Sequence, residues 1–470
     1  MIILENIKAV ILAGGKGTRM KSELPKVLHK VYDRCIIDYV CDACEDAGIN
    51  DICIIVGHKA EQVEEHIKEK KRNVTLCLQK DQLGTGHAVM QAKDHINDDD
   101  LVLVINGDQP LISSQTIKSL ISFCKQGNYG GTVLSYILDE PGSLGRVIRD
   151  ENGNLQRIVE KKDCTESEEK VKEVNIGVYC FRGDLLKNSF SKLDDNNAQN
   201  EYYITDIPAH IKKAGYNFGV YAIADMSEFQ GINSREELSI ATCTLLNKTR
   251  KFHMDNGVTL IDPTNTYISL DAKIGKDTII YPGTNIQGEC IIGENCVIGP
   301  NSHIISSIIG DNVTIETSKV SNSNIGNNCM IGPFAHIRPN CKISDNCKVG
   351  SFAEVKNINL GEDSKIPHLI YAGDADIGKN VEIGCGCITA NLNPKWEKSR
   401  TVIGDNSFVG SNSTLIAPLE VGKDTVVAAG SVITENVPNS SFAIARQRQT
   451  TKEGYTQKNK DFLNLSHKKK

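Results

Sequence analysis

The chain has 470 residues, of which 40% are hydrophobic and 24% charged, and a formal net charge of -6. That length exceeds one ordinary hydrophobic core, so two or more domains are expected. An acidic balance with no basic block beyond Lys468-Lys469-Lys470 argues against a nucleic-acid binder, and no apolar run approaches the roughly 20 residues of a membrane span. The opening five residues are too short for a secretory leader, and a cytoplasmic protein is expected. Sixteen dispersed cysteines then read as free thiols rather than a disulfide framework.

A first strand over 9–12 runs into residues 12–20, Leu-Ala-Gly-Gly-Lys-Gly-Thr-Arg-Met, followed by Pro25-Lys26. Gly14, Gly15 and Gly17 after a strand let backbone N–H groups approach phosphate oxygens closely, and Lys16, Arg19 and Lys26 add charge. The spacing is neither the Walker nor the dinucleotide pattern. A helix over 36–47 contains Cys41-Asp-Ala-Cys44; with no second pair at zinc-like spacing, these thiols are expected to pack rather than ligate.

Apolar runs at 52–56, 74–78, 101–105 and 132–138 alternate with helical segments at 60–70 and 114–124, which predicts a Rossmann-like α/β domain with a mainly parallel sheet covered on both faces. Ligands gather beyond the carboxyl ends of such strands. Asp108, in the Asn106-Gly107-Asp108 that closes one strand, is therefore placed to offer a carboxylate to Mg²⁺. Ser234-Arg-Glu-Glu237 is a capping box, and Leu238, Leu245 and Leu246 continue one stripe, so a helix is expected over 235–251.

Beyond it the period becomes six: Ile274, Ile280, Ile286, Ile292, Ile298, Ile304; Ile325, Ile331, Ile337, Ile343, Val349, Val355; and Ile403, Val409, Leu415, Val421, Val427, Ile433. Two residues before each stands a small residue, Leu419 excepted, and five of these are cysteines at 290, 296, 329, 341 and 347. The pattern predicts a hexapeptide β-helix whose coils bury a column of aliphatics, with those cysteines chosen for volume. Loops are expected to leave the prism near 305–325, 356–377 and 388–402. The domains read as 1–233, a linker helix over 234–253, and 254–470 ending in a polar tail.

The string at 12–20 with Pro25-Lys26 resembles the signature of sugar-1-phosphate nucleotidyltransferases. Gln79 to Gly86 resembles their uracil-reading segment, Gly145-Arg146-Val147 and Ile158-Val159-Glu160 the sugar-contacting strands, Glu173 to Gly177 the next, and Gly231-Ile232-Asn233 the source of a second metal ligand. That order is similar to the N-acetylglucosamine-1-phosphate uridyltransferase branch. It implies a nucleotide and sugar site of Leu12, Ala13, Gly14, Gly15, Lys26, Gln79, Gly84, Thr85, Gly145, Glu160, Asn175 and Asn233, Mg²⁺ on Asp108 and Asn233, and charge neutralisation by Arg19 and Lys26.

The repeat resembles the hexapeptide acyltransferases, which implies a left-handed parallel β-helix and a homotrimer. Together the halves are similar to a bifunctional uridyltransferase–acetyltransferase family. The resemblance implies acetyl transfer from acetyl-CoA to glucosamine-1-phosphate and then uridylyl transfer from UTP to the product; the alternative is uridylyl transfer alone, with the prism as a trimerising scaffold. It further implies His368 as the base, Arg338, Lys356, Tyr371 and Glu382 at the glucosamine phosphate, and Cys385, Asn391, Ser411, Ala429 and Arg446 at acetyl-CoA. The chain departs from that family with Asn391-Leu392-Asn393-Pro394 for Asn-Tyr-Asp-Gly, Glu382 for Asn and Cys385 for Ala.

Overall fold

In the first strand, β1 (Ile7–Leu12), Ala9 and Ile11 enter one core and Val10 another, as the two-residue period of a strand covered on both faces requires. The computed structural model describes residues 6–459 apart from Ala224; the first five residues and the terminal lysine triplet lie outside the described residues. By packing, the chain divides into units Met1–Lys248 and Thr249–Lys470.

The first unit adds β2 (Asp51–Val56), β3 (Thr75–Leu78), β4 (Leu101–Asn106), β5 (Gly131–Ile137), β6 (Arg146–Arg149), β7 (Leu155–Val159), β8 (Glu173–Arg182) and β9 (Phe218–Ala222). They form one sheet in the order β9-β5-β8-β4-β1-β2-β3, with β6 pairing β8 and β7. β1, β2, β3 and β4 are mutually parallel, and β9 is parallel to β5. The expected mainly parallel sheet is corrected at two places: β8 runs antiparallel to β4, β5 and β6, and β6–β7 is an antiparallel hairpin. A strand buried on both faces reads as an unbroken apolar run whichever way it points, so hydrophobicity carries no direction. Helices α1 (Ile36–Asp46), α2 (Ala60–Glu69), α3 (Thr85–Met90) and α4 (Ser114–Gln126) follow the strands. Cys41 and Cys44 in α1 are buried, and burial pushes the Cys41 thiol up to about 12; they pack, as expected. All sixteen cysteines are free thiols.

The second unit is a parallel β-helix of two- to seven-residue strands. Stacked coils place Ile280 beside Ile298 and Ile298 beside Ile315, and the aliphatic column is almost wholly removed from solvent. Two of the three expected exits are wrong. Over 305–325 and 356–377 the coil continues, with Ile309, Ile315, Val320, Leu360, Ile366, Ala372 and Ile377 each at most 4% exposed. Some spacings there shrink from six to five, as from Ile304 to Ile309 and from Val355 to Leu360, so a strict six-count loses phase while the prism does not. The third exit is real: 391–400 form a small hairpin in which Leu392 bridges Lys398.

The small residues do more than save volume. Thr278 Oγ1 donates to the Gly293 carbonyl at 2.8 Å, Cys296 Sγ to Gly310 at 3.2 Å, Cys329 Sγ to Ser344 at 3.1 Å, Cys347 Sγ to Gly361 at 3.1 Å, Ser364 Oγ to Gly378 at 2.7 Å and Ser407 Oγ to Gly422 at 2.9 Å. One corner of the prism therefore carries a column of hydroxyl and thiol donors, each satisfying a carbonyl of the next coil.

Candidate active sites

The first site grows from the end of β1. Leu12, Ala13, Gly14, Gly15, Lys26, Gln79, Gly84, Thr85 and Asp108 line one open cleft of about 280 Å³, together with Val27, Gln82, Ala88, Asn106 and Glu201. Gly17 has φ +60°, and a Cβ there would meet Lys26 Cβ at 2.8 Å; only glycine brings the loop against the turn Lys26–Leu28 and holds Lys26 in the cleft. A Cβ on Gly14 would strike Gln79 Oε1 at 2.9 Å. Gln79 is buried and its amide donates to the Gly84 carbonyl at 3.2 Å, so the side chain expected to meet the base also shapes the turn that opens α3. Lys16 and Arg19 are exposed and outside the cleft lining.

At the cleft floor Lys26 Nζ lies 2.5 Å from Asp108 Oδ2 and 3.0 Å from Asn233 Oδ1. A carboxylate and an amide oxygen thus converge on one point that already holds an ammonium ion. Two hard oxygen donors with room for water and phosphate oxygens suit a hard divalent cation. The capping box does the positioning. Ahead of α5 (Arg235–Asp255), Glu237 Oε2 accepts the N–H groups of Asn233 at 2.6 Å and Ser234 at 2.9 Å, while Ser234 Oγ accepts the Glu237 N–H at 3.1 Å. Ile232 N–H donates to the Asp108 carbonyl at 3.0 Å, tying both oxygen donors to one backbone link.

Gly145, Glu160 and Asn175 line an adjoining cavity of about 200 Å³ that shares Leu12, Thr85 and Asn106 with the cleft. Asn175 donates to Tyr179 Oη at 2.7 Å and accepts the Gly177 N–H at 2.9 Å. Burial, reinforced by Asp163, Asp206 and Glu201, raises the Glu160 carboxyl above its ordinary range, with Thr205 donating against that trend. Arg146 is buried and spends its guanidinium on the carbonyls of Leu144, Gly142 and Glu169, so it braces the hairpin rather than facing sugar. Asn106 is the residue that the sequence reading missed. It bridges the two cavities, and its signal was the same Asn-Gly-Asp strand end that singled out Asp108.

In the second unit Arg338 pairs with Glu354 at 2.8 Å. The register sets Tyr371 beside Glu354 and Gly373 beside Lys356, and a Cβ on Gly373 would meet Tyr371 Oη at 2.4 Å; Arg338, Lys356 and Tyr371 therefore share one face. Asn357 and Asn391 each donate to Asp374 at 2.5 Å. Burial opposes the Asp374 charge, but those two donors together with Lys398 and Arg400 hold its carboxyl below the usual range.

His368 ends the strand Lys365–His368 and is exposed; the loop expected to carry it is a strand, because the coil never breaks there. Its carbonyl accepts the Gly386 N–H at 3.3 Å, Cys385 accepts from Asn412 at 2.8 Å, and Ser411 accepts from Gly430 at 2.8 Å. His368, Cys385, Ser411 and Ala429 accordingly stack on successive coils, and a Cβ on Gly430 would lie 3.9 Å from Arg446 Cδ. Glu382 stands at the far end of its strand between Lys365 and Phe408. Asn391 lies with Asp374, on the Tyr371 side rather than in the column expected to take acetyl-CoA.

An anion cradle beyond a doubly covered sheet, joined to a hexapeptide prism, defines a nucleotidyltransferase fused to a hexapeptide transferase. The nucleotidyl transferase family profile matches residues 8–226, the bacterial transferase hexapeptide (six repeats) profile 271–306 and 322–357, and the hexapeptide repeat of succinyl-transferase 400–435. The "Bifunctional protein GlmU" of Alkaliphilus oremlandii is 47% identical over 452 residues, covering 96% of this chain and 98% of that protein. The protein of that name from Clostridioides difficile is 44% identical over 453 residues, with the same coverage. Among solved structures, a putative glucose-1-phosphate thymidylyltransferase from Bacillus anthracis in complex with a sucrose covers 51% of this chain and 94% of its own at 22% identity and TM-score 0.43. The chain belongs to the bifunctional GlmU family, and it is a transferase with two activities, uridylyl transfer and glucosamine-1-phosphate acetylation.

Proposed function

We propose that the second unit acetylates glucosamine-1-phosphate with acetyl-CoA and the first transfers a uridylyl group from UTP to the resulting N-acetylglucosamine-1-phosphate, releasing pyrophosphate. The observation that carries the reading is the convergence of Lys26, Asp108 and Asn233 at the floor of a glycine-lined cleft. In uridylyl transfer a sugar-phosphate oxygen attacks the α-phosphorus and pyrophosphate leaves, so no protein nucleophile is required. The glycine loop binds the triphosphate through its N–H groups, Lys26 neutralises charge on the reacting phosphates, and Glu160 and Asn175 orient the sugar in the adjoining cavity. Arg19, exposed and outside the cleft lining, would have to swing in to neutralise the departing pyrophosphate. Mg²⁺ on Asp108 and Asn233 would draw charge from the phosphates and align them when bound.

For acetyl transfer, His368 takes a proton from the sugar ammonium so that the free amine attacks the thioester carbonyl, and coenzyme A leaves as the thiol. Arg338 and Lys356 hold the sugar phosphate beside Tyr371, and Glu382 offers its carboxylate to the ammonium. Cys385, Ser411 and Ala429 form a stacked wall for acetyl-CoA with Arg446 at its phosphates, while Asn391 holds Asp374 on the Tyr371 side. Phe334 and Phe352 stack, and both are more than half exposed with Leu369 on the next coil; such an apolar ladder fits association of prisms as a homotrimer. With UTP and acetyl-CoA as co-substrates we place the protein in the cytoplasm. No helix among the described residues is long and apolar enough to cross a membrane.

The test is to assay the purified chain for pyrophosphate release from UTP plus N-acetylglucosamine-1-phosphate and for thiol release from acetyl-CoA plus glucosamine-1-phosphate. Both products are expected. Pyrophosphate without thiol would leave the prism a scaffold, and neither would overturn the reading.

A further inference from the structure

Away from both sites, Cys35, Asp38 and His66 each bring one donor atom within 4.8 Å of the others. Cys35 precedes α1, Asp38 lies in its first turn, and His66 lies in the last turn of α2. Asp38 is 1% and Cys35 7% exposed. His66 Nδ1 is 4.0 Å from Cys35 Sγ, and its Nε2 is 3.1 Å from both Asp38 oxygens. A thiol, an imidazole and a carboxylate converging in the protein interior form the mixed set that selects a borderline divalent cation such as Zn²⁺, in contrast to the all-oxygen pair at the catalytic cleft.

We propose that Cys35, Asp38 and His66 bind one Zn²⁺-class ion, with water completing the tetrahedron, and that the ion staples α1 to α2. A sulfur and a nitrogen on one tetrahedral zinc stand about 3.6 Å apart by the usual bond lengths; His66 faces Cys35 with Nδ1 and Asp38 with Nε2, so loading turns the mostly buried ring to give the ion one nitrogen. Arg72 Nε lies 3.5 Å from Asp38 Oδ1, which leaves Oδ2 as the ligand oxygen. The guanidinium also pairs with Asp42 and Glu45, and Arg34 with Asp42. Three carboxylates thus face two guanidiniums, and a Cys35 thiolate brings the local charge to that of a divalent cation's partner; Lys30 and Lys70 nearby are exposed to water. Cys35 Sγ donates to the Leu28 carbonyl at 3.3 Å, and burial, with Asp38 next, pushes its thiol up to about 11. Loading therefore releases the thiol proton to solvent.

The test titrates chelator-stripped full-length protein with Co²⁺ and Zn²⁺ as probes. One equivalent of Co²⁺ is expected to give a sulfur-to-cobalt charge-transfer band, absent in Cys35→Ser and weakened on the order of tenfold or more in affinity in His66→Gln. One equivalent of Zn²⁺ raises the Tm of the parent chain but of neither variant. Both variants keep Mg²⁺-dependent pyrophosphate release, since neither residue touches the cleft. Zinc-edge X-ray absorption on the loaded parent chain needs no variant and should show one sulfur among nitrogen and oxygen neighbours. No stoichiometric binding, a charge-transfer band that survives Cys35→Ser, or a shell without exactly one sulfur overturns the proposal.

Discussion

Glu237 touches neither phosphate nor sugar, yet its carboxylate holds the backbone N–H groups of Asn233 and Ser234. Its replacement by Ala should lower Mn²⁺ affinity and kcat for uridylyl transfer together, by roughly 10- to 100-fold, as loss of an orienting partner typically does; Glu237→Gln, which keeps an acceptor, should recover most of both. Equal loss in Ala and Gln would deny the orienting role. The capping box was legible in the sequence as a helix start. That it also positions a metal-ligand candidate was not, because the helix signal is local and the meeting of Asn233 with Lys26 spans 207 positions.

Glu160 carries a second consequence. Its carboxyl is raised by burial, so the folded state favours the protonated form. The cost of the buried charge is present above the folded pKa and vanishes as pH falls below the unfolded value. Glu160→Gln should therefore raise Tm at pH 8 and lose that advantage at pH 4, as read by thermal unfolding, while weakening use of the sugar phosphate. A gain of the same size at both pH values would show that burial of charge is not the cause.

At the scale of elements, six-residue counting found the prism and its inward column but misjudged its continuity. Ile304 to Ile309 and Val355 to Leu360 are five apart, and a count cannot tell a shortened corner from a departing loop; only stacking against Ile292 and Ile343 shows that the chain stays in place. Volume likewise accounted for the small residues while hiding their chemistry. Ser407 Oγ donates to Gly422 O at 2.9 Å and accepts the Thr425 N–H at 3.2 Å. Ser407→Ala should cost about 1–3 kcal/mol in denaturant unfolding by leaving both groups buried and unpaired, and Ser407→Cys, matching the donor used at Cys296 and Cys347, should cost less. If Ala and Cys are equally tolerated, the column contributes volume alone.

At the scale of the molecule, two chemistries sit in two separately packed units, Met1–Lys248 and Thr249–Lys470. The glycine loop and the hexad repeat are local patterns with one physical meaning each, and each falls within its own unit. The antiparallel β8 and the seating of His368 on a strand were not readable, since both depend on which neighbour a segment pairs with. The measurement that tests the account most directly compares pyrophosphate and thiol release in Asp108→Ala and His368→Ala. Asp108→Ala should abolish pyrophosphate release and spare thiol release. His368→Ala should lower thiol release by roughly 10²- to 10⁴-fold, the range for loss of a positioned base, and spare pyrophosphate release. Loss of both activities in either folded variant, or near-parental activity at the site whose residue was removed, would contradict it.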